Sequence, residues 1–287
     1  MSDLFPPFVP DPDEPRRRFR PIPLRLLVPN VITLLALCLG LTAIRMAIEG
    51  RLELAMLSIL LAAVLDGADG RVARLLKGTS RFGAELDSLS DFVNFGVAPA
   101  LLLYVFILDE MKSLGWIAAI IYAIAAALRL ARFNVMLDDP GRPEWQKNYF
   151  VGMAAPAGAL TVLLPVYLHF IVWPVGELAA PVVAIYTVAI GLLMVSRIPT
   201  YSGKTLGQRI ARDMVLPLFV VVVLLSALLV SFPFHVLALA TIAYLVSLPF
   251  GAMRYRAREK AEKASLAARK SSPAAVDAAP AEDARDP

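Results

Sequence analysis

The sequence predicts an all-α fold, a polytopic membrane helical bundle of about eight transmembrane helices. Hydrophobic residues make up 58% of the 287 residues, and the mean hydropathy is +0.67. The apolar residues are gathered into segments of roughly 20 residues, the length that crosses about 30 Å of hydrocarbon as a helix. Lysine and arginine collect on one side of these segments. This composition excludes a single soluble globular domain.

Eight apolar segments follow one another, bounded by short polar or proline-containing stretches. Trp173-Pro174 separates the fifth segment from the sixth, and Phe232-Pro233-Phe234 predicts a tight turn between the last two. The only cysteine, Cys38, lies inside an apolar run, so an intramolecular disulfide is excluded. The segments cover residues 27–48, 54–76, 88–108, 113–133, 153–173, 177–196, 213–232 and 234–253.

The basic residues predict the orientation in the membrane. Of the 28 lysines and arginines, all but Arg45, Arg51 and Lys112 lie on the side of the two termini. The positive-inside rule places that side in the cytoplasm, so both termini are predicted to be cytoplasmic. Because the basic residues flank spans and do not form one soluble patch, we expect no nucleic-acid partner. The expected partner of the apolar surface is the lipid bilayer.

Four aspartates at the predicted cytoplasmic edge form the main chemical signal. Asp66 and Asp69 end the second segment, and Asp87 and Asp91 begin the third. An uncompensated carboxylate next to hydrocarbon costs about 2.5 to 3.5 kcal/mol on insertion scales. Helical spacing puts each pair on one face, so two carboxylate stripes can meet in a pocket. Divalent cations are the expected compensation, and divalent cations with carboxylates indicate phosphate chemistry.

Small residues accompany the acids. Gly70, Ala73 and Gly83 lie on the same predicted faces and would let a flat base or a phosphate approach the helix backbone. Arg74 follows directly and can pair with a phosphate or with an acid. The alternative for any one aspartate is an interfacial salt bridge with Arg71, Arg74 or Arg81. The fixed register of all these residues favours the metal site.

The spacing of these residues resembles a known family signature. The pattern Asp66-x2-Asp69-Gly70-x2-Ala73-Arg74-x8-Gly83-x3-Asp87-x3-Asp91 is similar to that of the CDP-alcohol phosphotransferase family. The resemblance implies transfer of a phosphoalcohol group from a CDP-alcohol to a second alcohol with release of CMP. It also implies Mg²⁺ or Mn²⁺ as cofactor, with two ions, and a homodimer.

Flanking sequences narrow the resemblance. Residues 82–91, 95–100, 131–134 and 193–196 resemble the bacterial and archaeal phosphatidylserine synthase branch. That branch implies CDP-diacylglycerol as donor, L-serine as acceptor and a bacterial inner membrane, with the site facing the cytoplasm. Organelle-targeting signals are also lacking. The implied metal ligands are Asp66, Asp69, Asp87 and Asp91, and Asp91 is our candidate general base.

Further residues are candidates for substrate binding. The resemblance implies that CDP-diacylglycerol is bound by Gly70, Ala73, Arg74 and Gly83, together with Asn30 and Thr33 of the first span. The alternative for Asn30 and Thr33 is a hydrogen bond to a neighbouring helix. Arg132, Asn134 and Lys204 are candidates for binding serine or phosphate. The alternative for Arg132 and Lys204 is anchoring at the cytoplasmic edge.

Four regions are predicted on this basis. Residues 1–26 form a cytoplasmic N-terminal segment without the apolar region of a secretory signal. Residues 27–212 form the CDP-alcohol phosphotransferase membrane domain with a six-helix core, and residues 213–253 add two transmembrane helices. Residues 254–287 form a cytoplasmic tail, basic at its start and then disordered.

Two other functions are compatible with parts of this pattern. A related enzyme could use another acceptor, such as glycerol 3-phosphate, an inositol phosphate or choline. A divalent-cation transporter could also use carboxylates, but such sites lie near the bilayer midplane. Here the acids cluster beside one loop, so transport is disfavoured.

Overall fold

The computed structural model describes residues 24–137, 149–172, 179–196, 199–201 and 212–249, together with residues 251 and 253. These residues are almost entirely helical. A 3₁₀ turn, Leu108–Met111, lies between the third and fourth helices. We label the helices α1 (Leu24–Ile48), α2 (Leu52–Leu75), α3 (Arg81–Phe106), α4 (Ser113–Leu137), α5 (Ala155–Ile171), α6 (Ala180–Val195), α7 (Arg212–Ser231) and α8 (Pro233–Pro249).

Several helices are suited to a membrane. By length and composition, four stretches can cross a bilayer: Leu27–Ile48, Arg81–Phe106, Ser113–Met136 and Met214–Ser231. Helices α5, α6 and α8 are apolar but shorter. Helix α2 is as long as a span, but its last turns carry aspartates and arginines. These features agree with the predicted polytopic helical membrane protein. The number of eight crossings and the side of the termini stay predictions.

Helix α3 begins earlier than the apolar segment predicted. We expected it to start near residue 88, whereas it starts at Arg81. The reason is a helix cap: Ser80 has an extended backbone, and its Oγ accepts a hydrogen bond from the backbone N–H of Gly83 at 3.0 Å. Asp87 therefore lies within a helix whose first turns are polar.

The middle of α3 departs from regular α-helical geometry. Residues Phe92–Val97 form a π-helical turn directly after Asp91. The buried Tyr122 of α4 donates its hydroxyl hydrogen bond to the carbonyl oxygen of Phe95 at 3.0 Å. Turns of this kind are rare in proteins, and those that do occur are often found at functional sites. This turn therefore indicates that the region around Asp91 is functionally important.

The helices pack unequally. Helix α1 packs most closely against α2, and α4 packs against α6, with α3 contacting both α1 and α4. The largest fully buried side chains include Tyr122, Tyr167 and Phe95. In contrast, no residue of the stretch Met214–Ser231 in α7 is buried. The packed core thus lies within α1–α6, with contributions from α8 such as Leu237 and Ala238.

A short β-ribbon is the one departure from an all-α chain among the described residues. Strand β1 (Tyr149–Val151) pairs antiparallel with β2 (Pro199–Tyr201), with Phe150 opposite Thr200. The ribbon joins the stretch before α5 to the stretch after α6. A pair of three-residue strands has too little periodicity to be predicted from sequence.

Candidate functional site

Helices α2 and α3 bring three predicted metal ligands together. Asp66, Asp69 and Asp87 each offer a carboxylate oxygen, and these oxygens lie within 4.8 Å of one another. Three negative charges at this separation repel one another unless a cation or a proton lies between them. Carboxylate oxygens are the ligands that Mg²⁺, Mn²⁺ and Ca²⁺ prefer. The cluster can therefore hold a divalent metal ion.

Asp91 joins this cluster through Asp66. It lies one helical turn beyond Asp87, and its carboxyl group interacts with that of Asp66. Its Oδ1 atom is buried and has no hydrogen-bond partner among the described residues. An unsatisfied buried oxygen is costly, so it favours a ligand or a proton at this position.

A buried polar network supports Asp69. The Thr33 hydroxyl donates a hydrogen bond to Asp69 Oδ2 at 2.7 Å, and both residues are at most 5% exposed. The Ser90 hydroxyl donates to the carbonyl oxygen of Thr33 at 3.4 Å, and Asn94 Nδ2 donates to Ser90 Oγ at 3.2 Å. These contacts connect α1, α2 and α3 behind the aspartates.

Sequence reasoning missed Ser90 and Asn94. Both are nearly fully buried in the structure. Their spacing of four residues, which puts them on one face of a predicted span, was the available signal, because such polar residues usually hydrogen-bond within the bundle.

A cavity of about 370 Å³ lies beside the three aspartates. All six residues predicted to bind the CDP-alcohol line it, and so do two of the aspartates and the loop before α3. The predicted residues that line the cavity are Asn30, Thr33, Gly70, Ala73, Arg74 and Gly83, with Asp69 and Asp87.

The two cavity glycines have different surroundings. A Cβ atom at Gly83 would lie 2.8 Å from Asn30 Oδ1 and 3.0 Å from Ser80 Oγ, which is too close. A Cβ atom at Gly70 would meet no protein atom within 4 Å. A side chain at 83 would therefore displace the end of the Asn30 side chain, whereas at 70 it would only occupy cavity space.

Two of the remaining candidates, Arg132 and Asn134, are not among the residues that line the cavity. Arg132 Nη1 donates a hydrogen bond to the carbonyl oxygen of Val195 at 2.6 Å, at the end of α6. Asn134 Nδ2 donates to Ser88 Oγ at 2.9 Å. Lys204 lies outside the described residues. Arg129, which sequence reasoning counted only as a basic flank, is buried.

The salt-bridge alternative for the aspartates is absent from the described part of the chain. Within those residues, the ion pairs closer than 4.0 Å both involve Glu49, at the other end of α1, which pairs with Arg45 and Arg51. The aspartates are thus not neutralised by Arg71, Arg74 or Arg81.

Comparison with known proteins agrees with this geometry. The family model described as CDP-alcohol phosphatidyltransferase matches residues 26–195, and the model described as CDP-alcohol phosphatidyltransferase 2 matches residues 213–249. The first match contains the four aspartates and all six predicted CDP-alcohol residues.

Individual relatives match over most of their length. A Mycobacterium tuberculosis protein named CDP-diacylglycerol–serine O-phosphatidyltransferase is 39% identical, over 85% of this chain and 83% of the relative. A Helicobacter pylori protein of that name is 33% identical, over 80% of this chain and 91% of the relative. A Methanocaldococcus jannaschii protein of that name is 39% identical, over 62% of this chain and 76% of the relative. The aspartate cluster and the cavity agree with these matches, which show that the chain belongs to the CDP-alcohol phosphatidyltransferase family.

Proposed function

We propose that this enzyme transfers the phosphatidyl group of CDP-diacylglycerol to the hydroxyl of L-serine, forming phosphatidylserine and CMP. The observation that carries the proposal is the meeting of Asp66, Asp69 and Asp87 beside a cavity lined by Gly70, Arg74 and the other predicted donor-binding residues. The choice of serine is supported by the names of relatives that match most of the chain.

The cavity supplies the binding site for the donor. Gly70 and Ala73 leave room for the cytidine or a phosphate next to the α2 backbone. Arg74 carries a permanent charge that attracts the diphosphate. Asn30, which faces Gly83, offers an amide group for hydrogen bonds to the base. Donor binding in this cavity would place the diphosphate beside the aspartates.

The carboxylates would hold Mg²⁺ or Mn²⁺, with two ions shared by Asp66, Asp69, Asp87 and Asp91. The donor set fits such ions, because three of its oxygens already lie within 4.8 Å and Asp91 Oδ1 has no other partner among the described residues. When bound, the ions neutralise charge on the diphosphate and on the departing CMP.

Asp91 is proposed as the general base. The serine hydroxyl oxygen attacks the phosphorus that bears diacylglycerol, forming a new P–O bond while the P–O bond to CMP breaks. The hydroxyl proton passes to Asp91 as the attack proceeds. Thr33 holds the Asp69 carboxylate in place through its hydrogen bond.

One reconstitution tests the activity. Purified full-length protein in detergent would be mixed with CDP-diacylglycerol, Mn²⁺ or Mg²⁺, and radiolabelled serine. The expected products are phosphatidylserine and CMP in equal amounts. Product with glycerol 3-phosphate, an inositol phosphate or choline, but not with serine, would overturn the acceptor. Absence of transfer to any alcohol, with Mn²⁺ uptake into liposomes, would support transport instead.

We further propose eight transmembrane spans, with both termini and the aspartates on the cytoplasmic side of a bacterial inner membrane. Residues 27–212 would form the catalytic membrane domain, residues 213–253 two added spans, and residues 1–26 and 254–287 cytoplasmic ends. The distribution of lysine and arginine supports this orientation.

This topology can be measured directly. In a Cys38→Ser background, single cysteines at positions 2, 50, 112 and 280 would be labelled with an impermeant maleimide. Positions 50 and 112 should react in intact cells, and positions 2 and 280 only after lysis. The proposed homodimer would be checked by light scattering of the purified protein.

A further inference from the structure

Arg129 lies on the face of α4 that packs against α3. On this face, the Tyr122 hydroxyl donates to the Phe95 carbonyl oxygen, and the Cβ of Ala126 lies 3.1 Å from where a Cβ at Gly96 would be. Arg129 follows Ala126 by three residues, so it shares this face. Its side chain is only 8% exposed.

A second contact fixes the level of Arg129 along α3. Nearer the aspartate cluster, Asn134 Nδ2 donates to Ser88 Oγ at 2.9 Å. Because α3 and α4 run antiparallel, an α4 residue between the two contacts is level with the α3 residues between Ser88 and Phe95. Asp91 falls in that interval, and Arg129 lies close enough to interact with it electrostatically.

The Arg129 guanidinium is placed to bind an anionic ligand. Its Cζ lies 5.3 Å from the centre of the Phe133 ring, and within the described residues no carboxylate oxygen lies within 4.0 Å of it. A buried cation is costly without an anionic partner. The nearby Asp91 Oδ1 is also buried without a hydrogen-bond partner in the described part of the chain.

Arg132 is less suited to this role, although it was the arginine that the sequence favoured. Its Nη1 is occupied by the carbonyl oxygen of Val195 at 2.6 Å, at the carboxyl end of α6. Such a bond is typical of a basic residue that stabilises a helix end.

We propose that Arg129 binds the carboxylate of the amino-acid acceptor, while the acceptor's hydroxyl lies at Asp91; this inference rests on the proposed serine transfer. Serine carries both groups, separated by only two carbon atoms. Arginine suits the task because its guanidinium can donate two parallel hydrogen bonds to one carboxylate. Arg129 would then be a specificity-determining residue of the acceptor site.

Acceptor kinetics with Arg129→Gln and Arg129→Lys test the proposal. The acceptors are serine and serine methyl ester, which keeps the hydroxyl and the amine but lacks the anionic carboxylate. In Arg129→Gln, the KM for serine should rise between about tenfold and a hundredfold, as for loss of a charge-assisted hydrogen bond. The KM for CDP-diacylglycerol should change less than about twofold, and kcat/KM should fall less with the ester than with serine, so the preference for serine over the ester is reduced.

Two comparisons keep the result interpretable. Arg45→Gln removes an arginine that pairs with the exposed Glu49 far from the cavity, and should leave both acceptors unaffected. Arg129→Lys retains the charge, should fold if Arg129→Gln does not, and should show an intermediate KM for serine. Thermal melting of each purified variant reports folding.

The outcomes separate this inference from the proposed function. Equal loss of kcat with both acceptors, at an unchanged KM for serine, would overturn it, because Arg129 would then act only as a counter-charge to Asp91. An unchanged KM for serine in both variants would overturn it as well. If the unaltered protein makes no phosphatidylserine but uses another alcohol, the proposed serine transfer fails first, and the carboxylate site fails with it.

Discussion

The two aspartate pairs look alike in sequence but are supported differently in the fold. At the end of α2, Asp69 is buried and receives the Thr33 hydroxyl at 2.7 Å. On α3, Asp91 Oδ1 is buried without a partner among the described residues, and a π-helical turn begins at the next residue. A carboxylate with its own donor is held in one position, whereas an unsatisfied oxygen is open to a ligand or a proton. We infer a holding role for Asp69 and a reactive role for Asp91.

The largest expected effect comes from removing a carboxylate of the α2 pair. Asp66→Ala and Asp69→Ala should each abolish transfer. The remaining acids cannot hold the metal ion that neutralises and orients the diphosphate. Mn²⁺ binding, measured by electron paramagnetic resonance, should weaken in parallel. If Mn²⁺ binds both variants as it binds the unaltered protein, the metal site is built elsewhere.

Replacement of Asp91 sharpens the comparison. Asp91→Asn keeps the size of the side chain but removes the base, so kcat should fall between about 10² and 10⁴-fold. The KM for CDP-diacylglycerol should change little. The release of CMP in single-turnover experiments gives the rate. Unchanged CMP release in Asp91→Asn would show that another group takes the proton.

Thr33 tests whether the donor to Asp69 matters. Thr33→Val has nearly the same shape but no hydroxyl, so Asp69 Oδ2 loses its 2.7 Å hydrogen bond. Metal affinity should fall between about tenfold and a hundredfold, as is usual when a residue that orients a ligand is lost. Thr33→Ser keeps the hydroxyl and is the matched control. Equal Mn²⁺ affinity of the Val and Ser variants would remove the support for a holding role.

The two cavity glycines give the smallest and most selective effects. Gly83→Ala places a methyl group 2.8 Å from Asn30 Oδ1, so the Asn30 side chain has to turn away, and the free energy of unfolding should change by less than about 1 kcal/mol. Gly70→Ala meets no protein atom within 4 Å and replaces glycine inside a helix, so its melting temperature should not fall while the KM for CDP-diacylglycerol rises. Melting curves and donor titrations of both variants measure this. A normal donor KM in Gly70→Ala would place the donor elsewhere in the cavity.

Much of the site could be predicted because its residues are close in sequence. Asp66, Asp69 and Gly70 lie within two helical turns, and Asp87 follows after one short loop. Helical periodicity alone puts such residues on common faces. The start of α3 was less predictable, because the cap at Ser80 extends the helix into polar sequence that carries no hydropathy signal.

The residues that sequence reasoning missed or placed less well depend on contacts between distant parts of the chain. Arg129 and Arg132 are equivalent as basic residues near the end of an apolar segment. Only the packing of α4 shows that Arg132 contacts Val195 while Arg129 faces α3 at the level of Asp91. Ser90 and Asn94 likewise join the site through α1, because Ser90 donates a hydrogen bond to the Thr33 carbonyl oxygen and Asn94 donates one to Ser90.

The sequence by itself determined the helical membrane class, the expected orientation and the family pattern of aspartates and glycines. These features follow from composition and from spacing within a few helical turns, which local geometry governs. Tertiary structure alone decided which aspartate has a hydrogen-bond donor, which glycine lies against a neighbouring side chain and which arginine lies beside the site. Those differences arise because helix packing brings residues that are tens of positions apart within a few ångströms, a distance that no local pattern encodes.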